Sequence, residues 1–268
     1  MLSFDGNKEL STEKYKWCGN LSDFVFGLDE KQTFFFKNIL AKHRIDKVLD
    51  VFCGNGELAV LLAKWGKKVT VFVPEMLTIK EINHKSAQAG VQVEICLGDM
   101  RDISNLYRER CDLIACLQNA LSRLLSEEDI WGTLAQMYLK LKPGGLLVIH
   151  TLNYDRLMQE SACPIPVLEK LCLGLKTKLL LERGKKGDDT KLIFKIAPAG
   201  IRAGIRIRQE EIRVPVRPIF KKELDFWLTE LGFENIKSYD WFSGEGAVND
   251  TCHRVTLAYR PVAAAMTR

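Results

Sequence analysis

The apolar and polar positions of the chain recur in blocks that predict a parallel α/β sheet. An almost unbroken apolar run at Val48–Val51 is typical of a strand covered on both faces, and a helical pattern follows at Leu58–Lys64. Further strand-like and helical segments then alternate, joined by short turns. The later strands of this part are predicted at Lys67–Val73, Val91–Leu97, Cys111–Leu117 and Leu146–His150, and the helices at Met76–Ala89 and from a Ser126 cap to Leu141, with Lys142–Gly145 as a turn.

The rhythm changes after about Tyr154, where alternation with a period of two predicts an inserted antiparallel unit. Its strands are predicted at Leu179–Glu182, Lys191–Ile196 and Ala203–Val214. A helix at Lys221–Leu231 and closing strands at Glu234–Phe242 and His253–Tyr259 return to the core, and two helices precede it, the second over Asp29–His43. We therefore expect four segments: an N-terminal helical cap (1–45), a parallel α/β core (46–153), the antiparallel insert (154–219), and the closing elements of the core (220–268).

Ligands of such sheets bind at the carboxyl ends of the strands, so the residues there are the candidate site. Gly54 and Gly56 follow the first strand and allow a tight turn with close backbone approach to a ligand. The helix after them directs free N–H groups at this turn. Asp50, at the end of the strand, can accept hydrogen bonds from a cationic or hydroxylated ligand.

Composition narrows the class of protein without identifying its chemistry. The chain has 268 residues, of which 47% are hydrophobic and 27% charged, which is enough for one large domain with a substantial core. No apolar run approaches the ~20 residues of a membrane helix, and the N-terminus lacks an apolar signal segment. The eight cysteines are scattered without a C-x-x-C pair, so neither a disulfide framework nor a metal site is expected, and the cytoplasm is the expected compartment.

The net charge of +5 is concentrated in the insert, where Lys176–Arg217 holds 12 Lys or Arg and five Asp or Glu. One interpretation is a solvated basic face. The other is a surface for an anionic substrate or for nucleic acid.

Three motifs in the expected order resemble those of class I S-adenosylmethionine (SAM)-dependent methyltransferases. Val48–Gly56 is similar to V-L-D-x-x-C-G-x-G, Gly98–Asp102 to G-D-M-R-D after the third strand, and Leu141–Val148 to L-K-P-G-G-x-L-V before the fifth. The resemblance covers about 46–154 and again 220–259. The inserted strands and the segment Asn153–Arg156 resemble the subgroup acting on small molecules, which includes amino-sugar N,N-dimethyltransferases and glycine N-methyltransferase.

The resemblance implies a fold and a cofactor: a doubly wound, mostly parallel seven-stranded sheet with an inserted antiparallel β subdomain, and SAM. It implies that the first turn holds the amino acid part of SAM, that Asp99 accepts from the adenine amino group, and that Met100 packs on the ring. The end of the fourth strand would line the cleft beneath the methionine chain. The cofactor-binding candidates are Tyr15, Asp50, Phe52, Cys53, Gly54, Gly56, Pro74, Glu75, Met76, Asp99, Met100, Leu117, Gln118 and Asn119.

Several of these positions depart from the family pattern or have two interpretations. Phe52 stands where the family has a small residue. Val73 stands where the family has the acid that binds the ribose hydroxyls, and Glu75 is the candidate substitute. Tyr15, with Trp17, is either part of a flap over the site or an anchor of the N-terminal segment. Cys53 matches a position where the family carries cysteine without chemistry.

The predicted reaction is methyl transfer to a small-molecule acceptor, with N-methylation preferred to O-methylation. His150, at the end of the fifth strand, is either a general base or a structural histidine. Asn153 and Tyr154 either orient a substrate or are ordinary loop residues. A homodimer is one candidate assembly.

Two alternatives to a small-molecule enzyme stay open from the sequence. A nucleic-acid methyltransferase is motivated by the basic insert, but base-amino enzymes carry an (Asn/Asp)-Pro-Pro-aromatic run where this chain has Leu117–Leu121, which argues against that type. A SAM-binding pseudoenzyme is motivated by Val73.

Overall fold

A seven-stranded sheet forms the centre of the protein, in the order β10-β11-β5-β4-β1-β2-β3. The computed structural model describes residues 28–74, 76–161, 165–172, 175–183, 190–198, 210–243 and 251–262. The strands of this sheet are β1 (Lys47–Val51), β2 (Lys68–Val73), β3 (Glu94–Leu97), β4 (Cys111–Cys116), β5 (Leu141–Leu152), β10 (Glu234–Tyr239) and β11 (His253–Tyr259). Strands β1 to β5 pair in parallel, and β11 runs antiparallel to both of its neighbours.

Helices cover both faces of this sheet. The α-helices of the described residues are α1 (Glu30–Lys42), α2 (Glu57–Lys64), α3 (Met76–Ala89), α4 (Ile103–Leu106), α5 (Glu127–Lys140), α6 (Tyr154–Leu157) and α7 (Lys221–Glu230), of which α6 packs with the insert. Asp29 caps α1 and Ser126 caps α5 through side-chain oxygens that accept backbone N–H bonds. The predicted fold class, a doubly wound mostly parallel sheet with an antiparallel insert, is confirmed.

Strand β1 lies at the point where the order of the strands reverses. It pairs with β2 on one side and β4 on the other, and Val48, Leu49, Asp50 and Val51 are all buried. Two apolar clusters cover the two faces of the sheet, one built with α5 and α7 and the other with α1, α2 and α3. The loop after β1 therefore lies at the crevice where ligands of doubly wound sheets bind.

The insert is a second sheet of four strands, in the order β6-β7-β8-β9, with every pair antiparallel. Its strands are β6 (Ile165–Cys172), β7 (Leu175–Glu182), β8 (Lys191–Pro198) and β9 (Glu210–Pro215). Leu179, Leu181, Leu192 and Val214 on its inner face pack against Tyr154 and its neighbours.

Asp155 connects the insert to the core. Its carboxylate accepts bonds from the guanidinium of Arg254 in β11 (2.6 Å) and from the backbone N–H of Lys221, the first residue of α7 (2.8 Å). Arg254 is 5% exposed and also donates to Asn153 (2.6 Å), so the junction is a network of charged and polar groups around a buried guanidinium.

The structure differs from the predicted elements in two places. The predicted turn at Lys142–Gly145 is wrong, because the chain already pairs as β5 from Leu141, and Gly144 and Gly145 exchange backbone bonds with Arg260. Strand β6 was not predicted at all. The first predicted helix, the stretch 199–209 and the loops 184–189 and 244–250 lie outside the described residues, and the division into four segments stays a prediction.

Candidate cofactor and active site

The turn after β1 has an unusual backbone. Phe52, Gly54 and Gly56 all have positive φ angles, of 64°, 57° and 77°. A bulky residue rarely adopts this conformation, and Phe52 is held in it by an N–H bond to Phe72 (3.0 Å) and by the Arg123 guanidinium 5.0 Å from its ring. Backbone strain of this kind clusters at binding sites, where the surrounding structure imposes it.

The loop after β4 repeats this feature at the neighbouring strand end. Gln118 and Asn119 have φ angles of 57° and 59°. The buried Asn119 side chain accepts from Leu152 N–H (3.0 Å) and donates to the Tyr154 hydroxyl (2.9 Å). Asn119 thus anchors this loop to β5 and α6, while Leu117 and Gln118 line the pocket described next.

A pocket lies between these two loops and the start of α1. It is open to solvent, and its empty volume, counted together with the adjoining solvent space, is about 330 Å³. The residues that line it are Leu28, Gln32, Asp50, Phe52, Cys53, Asn55, Glu57, Leu58, Leu117 and Gln118. Half of them were predicted from the sequence: Asp50, Phe52, Cys53, Leu117 and Gln118. Gly54 and Gly56 belong to the same turn.

The other half were missed, and they divide into two groups. Asn55, Glu57 and Leu58 immediately follow the predicted positions, so the motif alone could have suggested them. Leu28 precedes α1 and Gln32 lies in its first turn, where the sequence signal is the pair Asp29 and Gln32 in the spacing of a capping box.

Glu57 attaches the start of α1 to the glycine turn. Its carboxylate accepts from the backbone N–H of Leu28 (3.3 Å) and from the side chain of Asn55 (3.2 Å), and Lys85 lies 3.5 Å away. The α1 end of the pocket is therefore built onto the same turn as Asp50.

Asp99 lies beyond β3, at the same edge of the sheet. The Arg101 guanidinium binds its carboxylate through two hydrogen bonds. The guanidinium donates at 3.0 and 2.8 Å, and the Arg101 backbone N–H at 2.9 Å. Burial alone would raise the pKa of the Asp99 carboxyl, but the bonds and charge of Arg101 outweigh it and hold the pKa below its ordinary value. Asp99 is thus an ionised acceptor with a fixed orientation.

The remaining predicted cofactor residues lie at this edge or outside the described residues. Pro74 is exposed at the end of β2, and Met76 is 62% exposed at the start of α3. Met100 is buried in the same apolar cluster that Phe52 packs against. Tyr15 and Glu75 lie outside the described residues, so their assignments stay predictions.

His150 lies inside the protein and belongs to an aromatic cluster. It is fully buried in β5, its Nε2 lies 3.2 Å from Nδ1 of His253, and its ring meets Trp241 and Phe242 at 4.9 and 5.9 Å. Burial, and to a smaller degree His253, lower the pKa of His150 well below its ordinary value of 6.5. A buried imidazole of such low basicity favours the structural interpretation, and the catalytic assignment stays a prediction.

We expect His150 to make the stability of the protein depend on pH. Because its folded pKa is lowered, only the unfolded chain takes up this proton as the pH falls below 6.5, so stability is lost toward acid. Urea unfolding between pH 8 and pH 5 should show the wild type losing up to about 1.4 kcal/mol per pH unit more than His150→Gln. Parallel stability curves for the two proteins would contradict this assignment.

Asn153 and Tyr154, the predicted substrate residues, are also buried. Asn153 accepts from Arg254 and donates to the Thr251 carbonyl (3.2 Å). Tyr154 is fully buried, and burial raises the pKa of its phenol to about 12. Neither lines the pocket, and a role in binding substrate stays a prediction for both.

The outer face of the insert carries cross-strand ion pairs. Lys178 pairs with Glu169 (3.1 Å), Lys195 with Glu211 (3.3 Å), and Arg213 with Glu182 (2.5 Å). For these cations the solvated, paired face is the better interpretation. Arg202, Arg206 and Arg208 lie outside the described residues.

No helix in the described part of the chain has the length and apolar character needed to cross a membrane. No group of three or more His, Cys, Asp or Glu side chains there has an arrangement suited to a metal ion.

Comparison with known proteins identifies the central segment. Residues 48–145 match the methyltransferase domain family. A glycine/sarcosine N-methyltransferase of Aphanothece halophytica is 29% identical over 127 residues, which are 47% of this chain and 48% of that protein. The chain thus spans about half the length of this curated relative.

Solved structures share the fold over nearly the whole chain. A SAM-dependent methyltransferase from Clostridium acetobutylicum superposes with a TM-score of 0.75 at 16% identity, covering 92% of this chain and 99% of that one. A SAM-bound amino pentose methyltransferase from Micromonospora echinaspora gives 0.66 at 18% identity, covering 95% and 99%. At these identities the likeness establishes the fold.

Proposed function

From a methyltransferase domain at residues 48–145, in the fold of the class I SAM-dependent enzymes, we propose that the protein methylates the nitrogen of a small-molecule acceptor. The observation that carries the proposal is the pocket at the ends of β1 and β4, with the buried carboxylate of Asp50 in its wall. The names of the similar proteins, a glycine/sarcosine and an amino pentose methyltransferase, support a small amine as acceptor.

The residues of the pocket fit the amino acid part of SAM. Asp50 and Glu57 supply negative charge for a ligand that carries an ammonium and a sulfonium. Phe52, Leu58 and Leu117 supply apolar walls for its methylene chain. Asp99, further along the edge, offers an ionised acceptor for the adenine amino group.

The contribution of this chain to the reaction is alignment and the exclusion of water. SAM supplies a methyl group already activated on a sulfonium sulfur. The two strained loops and α1 fix where the ligand lies, and fixed geometry of this kind can lower a barrier by several kcal/mol. A neutral amine needs no strong base to attack, which suits a protein whose predicted base, His150, is buried and weakly basic.

The ribose hydroxyls are the part of SAM that the described residues of the site fit least well. Val73, at the end of β2, is fully buried and offers no acceptor. Glu75 is the proposed substitute. Loss of SAM binding in Glu75→Gln would support this assignment, and unchanged binding would remove it.

Calorimetry followed by a transfer assay tests the proposed function. We expect SAM and its demethylated product S-adenosylhomocysteine (SAH) to bind with Kd below about 100 μM, within the usual range for enzyme ligands. Labelled SAM should then methylate glycine, sarcosine or an amino sugar, with the label on nitrogen. Binding without transfer to any acceptor would favour a SAM-binding pseudoenzyme, and no binding of either ligand at millimolar concentration would contradict both.

A further inference from the structure

Gln32 is a buried side chain in the wall of the pocket, outside the matched domain. It lies in the first turn of α1 and is 3% exposed. Its carbonyl oxygen accepts from the backbone N–H of Asp29 at 3.3 Å, while the Asp29 side chain accepts from the Gln32 backbone at 2.7 Å. This capping box fixes the oxygen of the amide on the helix cap, so the –NH₂ group points the other way.

The –NH₂ group of Gln32 has no hydrogen-bond partner in the part of the chain that the structure describes. This nitrogen is not among the described buried side-chain atoms that lack a partner, so it is in contact with the open space of the pocket and is not sealed in the protein. Since Gln32 also lines the pocket, its free N–H groups are suited to a ligand that supplies the missing acceptor.

The position of Gln32 is fixed from two directions. Glu57 holds the backbone N–H of Leu28, and the indole of Trp241 donates to the Asp29 carboxylate at 2.6 Å. These contacts attach α1 both to the glycine turn and to the segment after β10. Gln32 is thus a preorganised donor, and little conformational entropy is lost when it binds a ligand.

The charges of the pocket show why such a donor matters. Of the ten described residues that line the pocket, Asp50 and Glu57 are acidic and none is Lys or Arg. The two acids suit an ammonium group, but they repel a carboxylate. An amino acid ligand carries both groups, so its carboxylate needs donors from the neutral side chains and the backbone.

We propose that Gln32 donates its amide N–H to the α-carboxylate of the cofactor's amino acid part and is the residue by which this protein favours cofactors with that carboxylate. This inference rests on the proposed function, because it takes SAM as the ligand of the pocket. It adds a specificity-determining residue outside the domain at 48–145.

Gln32→Glu is the variant that separates this role from helix capping. Glutamate at this position keeps an acceptor for the Asp29 N–H and is favourable in the first turn of a helix, so the fold and Tm are retained. It replaces the donor in the pocket by a negative oxygen. Three ligands are compared by calorimetry: SAH, its decarboxylated analogue, and 5′-methylthioadenosine, which lacks the amino acid part.

The expected result is a loss confined to the carboxylate-bearing ligand. In Gln32→Glu the Kd for SAH rises about 30-fold or more, as for a lost bond to a charged group with repulsion added. The Kd for methylthioadenosine changes less than about 2-fold, and that for the decarboxylated analogue does not rise. Gln32→Ala, which also loses the capping oxygen, shows the same preference with a lower Tm.

Two results would overturn the inference, and they differ from failure of the proposed function. Unchanged SAH affinity in Gln32→Glu would show that the residue only caps the helix. An equal loss for SAH and methylthioadenosine would show a general disturbance of the pocket. If the wild type bound none of the three ligands, the proposed function itself would fall, and this inference with it.

Discussion

Replacement of Asp50 by Asn is expected to weaken the binding of SAM and SAH about 100-fold, equivalent to about 2.7 kcal/mol. Asp50 is 1% exposed at the end of the central strand, and it lines the pocket. Asparagine has the same size, so the variant removes the charge opposite the ligand's ammonium and leaves the space unchanged. Calorimetry with SAH measures the loss.

Asp112→Asn is the matched control for Asp50→Asn. Asp112 lies at the start of β4, at the opposite edge of the sheet, where it accepts from the backbone N–H groups of Asp46 (3.0 Å) and Lys47 (2.8 Å). We expect Asp112→Asn to lower Tm and to leave SAH affinity within about 2-fold, a difference near the additivity error of distant sites. Equal loss of affinity in both variants would mean that Asp50 acts through stability and not as a contact.

Replacement of Asp155 by Ala is expected to destabilise the protein by about 2 to 4 kcal/mol, near the range for breaking a buried ion pair. The change leaves the Arg254 guanidinium, 5% exposed, with Asn153 as its remaining hydrogen-bond partner in the described chain, and it removes the acceptor of the first N–H of α7. Because the Asp155 side chain is partly exposed, water screens part of its attraction to Arg254, and the expected loss of stability therefore begins at about 2 kcal/mol. In a protein of this size, Tm should fall by about 5 to 10 °C.

Glu109→Ala is the control for Asp155→Ala. It removes an ion pair with Lys47 at the surface, and we expect little change in Tm because water screens such pairs. Asp155→Asn keeps an oxygen for the α7 N–H and should give an intermediate loss. If Asp155→Ala were as stable as Glu109→Ala, the junction between insert and core would not depend on this network.

The central sheet could be predicted because its signals are local. The apolar run of β1, the glycine turn and the start of α2 each follow from a few adjacent residues. The residues of the turn are also adjacent in the sequence, so Asp50, Phe52 and Cys53 could be predicted as candidates, and all three line the pocket. The strained φ angle of Phe52 could not, since it depends on Phe72 and Arg123.

The α1 side of the pocket could not be predicted because distant contacts decide it. Leu28 is bonded to a residue 29 positions away, and Asp29 to Trp241, which is 212 positions away. A helical pattern tells which residues of α1 are apolar, but not which neighbour it meets. For Gln32 the sequence therefore showed a capping signal and no sign of the pocket.

His150 shows how a small error in an element changes the interpretation of a residue. The sequence placed it at the end of the fifth strand and hence at the rim. Strand β5 continues to Leu152, and β11 pairs with it along this stretch, with Val255 opposite His150. His150 is therefore inside the sheet, where Trp241 and His253 cover it.

The most direct test of the account is a crystal structure of the protein with SAH. The prediction is that the amino acid part lies in the pocket between Asp50 and Gln32, with its carboxylate about 3 Å from the Gln32 amide nitrogen, and the adenine beside Asp99. An SAH molecule bound elsewhere, with this pocket filled by water or side chains, would contradict it.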